Sequence, residues 1–88
     1  MNKTDKIIIN SAIKGLYTEY GYKVVETFYG NRDKRLTVVN KSTEKFEVVI
    51  LLIGDILFVS TSNKYLFSVD LIERFAKLLN LKISLLEI

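Results

Sequence analysis

Phe46-Glu47-Val48-Val49-Ile50-Leu51-Leu52-Ile53-Gly54-Asp55-Ile56-Leu57-Phe58-Val59-Ser60 is the stretch on which the fold of this chain turns. Its longest apolar run, Val48 to Ile53, is far short of the roughly twenty residues that span a membrane. Gly54-Asp55 follows as a two-residue hairpin turn of the glycine-first kind. The spacing therefore predicts strands over 46–53 and 56–60, paired antiparallel. Both are apolar at odd and even positions alike, the pattern of strands covered on two sides.

Working outward, Tyr22–Tyr29 is aromatic and β-branched and ends at the turn Gly30-Asn31, so it reads as a strand. Arg35–Asn40 reads as the next, with Leu36 and Val38 on one face and Thr37 and Val39 on the other. After the polar turn 61–64, Tyr65–Phe67 reads as a short further strand. Before the strands, Ile9, Ile13, Leu16, Tyr17 and Tyr20 recur at helical spacing, with Thr4 as expected N-cap and Gly21 as C-cap. After them, Leu71, Ile72, Phe75, Ala76, Leu78 and Leu79 form a second helical face. Ser68 or Asp70 is its expected cap and Asn80 its stop. Lys82–Glu87 closes as a strand. The expected fold is one α+β domain over residues 1–88: N-terminal helix, antiparallel four- or five-strand meander, second helix, C-terminal strand.

Two helices can shield one face of such a sheet well, or both faces thinly. If both lie on one side, one set of strand residues, Val49, Leu51 and Ile53 or their alternates, meets water and offers a partner surface. A homodimer is the expected partner, because twofold oligomers of a single chain are common.

Composition narrows the chemistry further. The 88 residues contain no His and no Cys. The chain thus lacks the side chain best suited to proton transfer near neutrality, the Cys nucleophile and the thiolate metal sites. It also lacks Pro, Trp and Gln, a lexicon resembling that of small proteins from AT-rich genomes, including hyperthermophilic archaea and their viruses. The basic start, Met1 to Lys6, leads into Ile7–Ile9 and then Asn10-Ser11, leaving no signal-peptide core. The expected location is the cytoplasm, or a host's cytoplasm. Net charge is +3 and sits in the first half: residues 1–45 hold nine Lys/Arg against five Asp/Glu, residues 46–88 four against five.

The densest charge lies at 30–35. Arg32, Lys34 and Arg35, extended by Lys23 and Lys41 and neighboured by Tyr22 and Tyr29, are candidate nucleic-acid contacts, cations for phosphate and rings for bases. A solvated hairpin tip has the same composition. No glycine-rich phosphate loop and no zinc, haem or calcium-loop spacing occurs. Ser60, Ser62 and Lys64 read as turn residues before they read as a serine–lysine pair.

The run Gly21-Tyr22-Lys23-Val24-Val25 after a helix, followed by strands, a helix and a strand, resembles the core of restriction-endonuclease-like proteins such as archaeal Holliday-junction resolvases. That resemblance implies an acid on the second strand and Glu-x-Lys on the third, holding Mg²⁺. Asp33 and Glu47 are the matching acids. Val49 stands where the lysine would be, and no acid lies within 35–40. The resemblance thus implies a relative without its catalytic signature. The expected function is a non-enzymatic interaction module without cofactor: a homodimer docking another protein, with nucleic-acid binding as the alternative.

Overall fold

In the computed structural model, which describes residues 3–29 and 33–88, the elements run α1 (Lys3–Glu19), β1 (Tyr22–Tyr29), β2 (Asp33–Asn40), β3 (Phe46–Ile53), β4 (Ile56–Thr61), α2 (Phe67–Leu78) and β5 (Lys82–Glu87). The side chains of residues 3, 4 and 29 are outside that description. The strands form one mixed sheet in chain order, β1-β2-β3-β4-β5. The first four pair antiparallel, and β5 lies parallel to β4 after the α2 crossover. This is the α+β architecture that the apolar periodicities predict.

The turns follow residue chemistry. Gly54 has φ +63 while Asp55 stays outside the left-handed region, as a glycine-first hairpin requires. Gly21 at φ +85 ends α1. At the end of α2, Asn80 takes φ 55, its N–H donates to Lys77 O, and the N–H of Leu81 donates to Ala76 O. This is the paired-bond stop of a Schellman motif, with asparagine in the usual glycine place.

Several local expectations are corrected. Thr4 lies within α1, which already begins at Lys3. Tyr65–Phe67 is not a strand, so the meander has four strands. The Asn63 side-chain oxygen accepts the Tyr65 N–H at 2.9 Å, and its backbone oxygen accepts Leu66 N–H at 3.3 Å, turning the chain directly into α2. Neither Ser68 nor Asp70 caps that helix. Leu66 is the N-cap, extended and, being aliphatic, without a side-chain cap bond, while Ser68 lies inside the helix and gives its hydroxyl to Glu47.

Both helices pack on the same face of the sheet. Ile13 and Tyr17 of α1 and Val69, Ile72 and Ala76 of α2 share one buried cluster with Leu36, Val38, Val48, Ile50, Leu52, Leu57 and Val59. The register puts those strand residues on a single face, since Leu36 stands opposite Ile50, Ile50 opposite Val59, and Leu52 opposite Leu57. No described element covers the other face.

Candidate docking surface

The uncovered face is built by the residues that alternate with the core. Val25 stands opposite Thr37, Thr37 opposite Val49, and Val49 opposite Ser60. One step along, Arg35 stands opposite Leu51, Leu51 opposite Phe58, and Phe58 opposite Ser84. Ile53 and Ile56 face each other at the hairpin end. The predicted interface residues Val49, Leu51 and Ile53 all lie here, half-buried or exposed, beside Ile50 and Leu52, which are closed off on the helix side.

With strands about 4.8 Å apart and about 3.4 Å per residue, five strands of six residues present a face of roughly 500 Å². Its apolar part is smaller, because Thr37, Ser60, Ser84 and the cations share the face. Its centre is Val49, Leu51, Ile53 and Phe58, and Val25, Ile53 and Phe58 are each 37–39% exposed. Sequence reasoning missed Phe58 and Val25. Their strand parity, read across the Gly54-Asp55 hairpin from Leu51, was the available signal for Phe58.

The charges on this face have one sign. Lys23, Arg35 and Lys82 alternate onto it, as the pairings Lys23–Val39, Arg35–Leu51 and Ile56–Lys82 show. The carboxylates of the strands go elsewhere. Glu26 pairs with Lys14 of α1 and with Lys34, Asp33 pairs with Lys6 of α1 at 2.8 Å, and Glu87 accepts the Lys64 N–H.

The candidate nucleic-acid contacts therefore do not form one patch. Arg32 lies outside the described residues. Lys23 and Arg35 share the open face, where the Arg35 Nε–H donates to Thr27 Oγ1 at 3.3 Å. Lys34 points to the helix side and is held by Glu26 at 3.1 Å. Lys41 sits exposed in the β2–β3 turn, at the far end of the hairpin from Arg35. Strand alternation divides what the linear sequence bunches together.

Glu26 is held below its usual carboxylate range, first by the hydrogen bond from Lys34 and then by that from Lys14. A carboxylate shifted downward stabilises the fold above its unfolded-state pKa, and that contribution disappears as the pH falls through the lower folded value. Glu26→Gln should therefore show a smaller loss of stability on acidification from pH 7 to about pH 3 than the native chain, measured by urea midpoints at both pH values. An equal loss would show the pairs to be too solvated to matter.

The two acids of the nuclease resemblance are far apart. Asp33 begins β2, while Glu47 lies beside the opposite end of that strand, about six residues or roughly 20 Å along it. Among the described residues no group of three acids, histidines or cysteines could hold a metal ion.

Glu47 has another role. The register of β2 and β3 slips between Val38 and Val39: Val38 faces Val48, but Val39 faces Phe46, leaving Glu47 as the extra residue of a bulge. Its carboxylate accepts hydrogen bonds from Ser68 Oγ at 2.5 Å and Asn40 Nδ2 at 2.9 Å. Its backbone oxygen accepts Thr61 Oγ1 at 2.8 Å. The Tyr17 hydroxyl donates to Ser68 O at 2.5 Å, and its ring meets Tyr22 edge-on at 5.8 Å. Burial, and after it Tyr22 and Glu47, push the Tyr17 phenol far above its ordinary value. Burial and the Glu47 charge likewise push Tyr22 up. Ser68 is fully enclosed, so this knot ties α1, β3, β4 and α2 together at the negative-charge-accepting start of α2.

No family model matches the chain, and neither a curated protein nor a solved structure does. The site therefore stands on its own geometry. Besides the open sheet face, the described surface includes a groove of about 420 Å³ between the helices, lined by Ile8, Ile9, Ala12, Phe75, Leu79 and Leu81 with Asp5 at its rim. The sheet face is the broader of the two, and only it carries an apolar centre within a cationic border.

Proposed function

We propose that this protein is a non-enzymatic interaction module that forms a homodimer and docks another protein on its open sheet face. One observation carries the reading: both helices cover the same side of a sheet whose strands are apolar on both sides. An apolar centre inside a polar border is the anatomy of a protein–protein interface. The border cations Lys23, Arg35 and Lys82 select a partner whose own apolar patch is edged by carboxylates. Around the one ring there, Phe58, the centre is aliphatic, Val49, Leu51 and Ile53, which suits apolar protein side chains better than a row of stacked bases.

Light scattering on the pure protein should give twice the 10.2 kDa chain mass. Adding a short DNA duplex at about 50 mM salt should leave that mass unchanged. Anilinonaphthalene sulfonate, an apolar anion, should brighten on the native fold and brighten less on Leu51→Thr. A strictly monomeric chain that leaves the dye dark would overturn the reading. Retention of the duplex would instead assign the face to nucleic acid.

A further inference from the structure

We infer that the homodimer forms through the helix layer: a second copy of this chain packs its α1 and α2, antiparallel, onto the outer side of these two helices, about a twofold axis perpendicular to them. The inference rests on the homodimer reading above and says where that dimer forms. It leaves the open sheet face of each copy free for another protein.

The sheet faces are poor candidates for mutual contact. Bringing two of them together would gather Lys23, Arg35 and Lys82 of both copies around one interface, while the strand carboxylates are engaged elsewhere. Like charges set against each other in this way oppose association.

The helix layer has a different character. Tyr20 at the end of α1 meets Phe67 at the start of α2, with ring centroids 5.4 Å apart, while Ile8 and Ala12 share a groove with Phe75 and Leu79 at the other end. The two helices thus lie antiparallel, and their shared surface has an aromatic end and an aliphatic end. Between the ends, Leu71 is buried and Leu16 half-buried against the core.

Both ends show apolar side chains to solvent. Leu78 is 85% exposed, Ile8 60%, and Leu79, Tyr20 and Phe67 are each 47–54% exposed. By helical spacing from Leu71 and Phe75, Leu78 stands on the flank of α2 that looks toward α1. At about 100 Å² for each half-exposed ring and roughly as much for a fully exposed aliphatic chain, these five side chains offer about 400 Å². Each partner in a stable interface gives roughly 800 Å², of which apolar atoms make up somewhat more than half. The helix layer comes close to that share before Ala12 and Phe75 are counted.

The middle of the layer lets two copies approach closely. Ile8, Ala12 and Gly15 follow at steps of four and three, so they share one face of α1. Glycine is unfavourable inside a helix, and among the described residues a Cβ at Gly15 would meet nothing within 4 Å. Packing within the chain therefore gives no reason for glycine here, whereas the close passage of another helix does.

Charge completes the fit. On α2, Asp70 stands in the first turn and Lys77 in the last. Antiparallel packing of the two α2 helices sets Asp70 of each copy beside Lys77 of the other and opposes the helix dipoles. Arg74, nearest the axis, already carries Asp70 as a counter-charge at 2.9 Å. The same packing lays Ile8 and Leu78 of each copy over Tyr20 and Phe67 of the other. The dimer then holds its helices inside and turns its two open sheet faces outward, on opposite sides.

The test uses the full chain at a series of concentrations, with molar mass as the readout. Leu78→Glu, a surface change that leaves the core untouched, should weaken dimerisation about a hundredfold. Gly15→Gln separates the interface from the fold. The space above Gly15 admits the longer side chain and glutamine is the better helix former, so the urea midpoint of the monomer should rise while dimerisation weakens at least about tenfold. Leu51→Thr on the open face should leave the dimer intact. The chain has no cysteine of its own, so introduced thiols report the orientation. Asp70 and Lys77 are about 10 Å apart along one helix, too far for a disulfide within a chain. On oxidation, Asp70→Cys/Lys77→Cys should therefore give a covalent dimer, and neither single variant should. Cross-linking by the single variants instead overturns the antiparallel arrangement. A dimer that survives both Leu78→Glu and Gly15→Gln, or that Leu51→Thr alone dissolves, overturns the helix-layer assignment and leaves the homodimer standing. A native chain that remains monomeric at millimolar concentration overturns both.

Discussion

Ile50→Ala should destabilise the protein by roughly 3–5 kcal/mol, whereas Leu51→Ala, one residue along the same strand, should cost about 1 kcal/mol or less. Ile50 is fully enclosed on the central strand, between Leu36 and Val59, under the helices. Truncation there leaves a cavity that the two neighbouring strands cannot close. Leu51 looks onto the uncovered side and loses only half-solvated contacts. Domains of this size are stable by about 5–15 kcal/mol, so the first change would approach unfolding and the second would be a modest shift in the urea midpoint. Equal losses at the two positions would mean that something covers both faces.

Glu47→Ala is the second large effect expected, about 2–4 kcal/mol. It strands the buried Ser68 hydroxyl and the Asn40 amide, which have the Glu47 carboxylate as partner at 2.5 and 2.9 Å. Buried polar groups left unpaired carry their full desolvation cost. Glu47→Gln, which keeps an oxygen for Ser68, should lose less than half as much. A second readout separates this knot from simple packing. The Glu47 charge helps to hold the Tyr22 phenol above its ordinary value, so Glu47→Ala should let Tyr22 ionise at lower pH in an ultraviolet titration. An unchanged tyrosine titration would detach Glu47 from the aromatic pair.

These positions show why some of the structure is legible in the sequence and some is not. The strands 46–53 and 56–61, the glycine-first turn and both helices follow from period and turn chemistry, which are local. Which face the helices choose is not local. Val48, Ile50 and Leu52 are as apolar as Val49, Leu51 and Ile53, so the sequence presents two candidate cores and only packing selects one. The bulge at Glu47 is a slip of one residue, and its purpose appears only when Ser68 and Asn40 arrive from distant parts of the chain. Ser68 misleads for the same reason. Serine near a helix start suggests a cap, but Ser68 lies one step inside the helix and its hydroxyl donates to the Glu47 carboxylate.

The candidate surface divides similarly. Val49, Leu51 and Ile53 are readable as a set because alternate residues of a strand share a face. Lys34 and Arg35 are adjacent in sequence and for that very reason separate in space, one meeting Glu26 on the helix side and the other Thr27 on the open side. Leu78 continues the helical period past the point where anything lies beneath it.

The parallel pairing of β5 also orders the folding of the chain. The meander β1 to β4 is a run of neighbouring hairpins, each closing on microsecond timescales from residues close in sequence. By contrast, β5 has no partner until α2 has formed and carried it back alongside β4. A half-folded molecule therefore displays the free margin of β4, Ile56 to Thr61, rich in Leu, Phe and Val. During synthesis that margin stays sticky until the final strand arrives, making this interval the one in which a chaperone has most to guard.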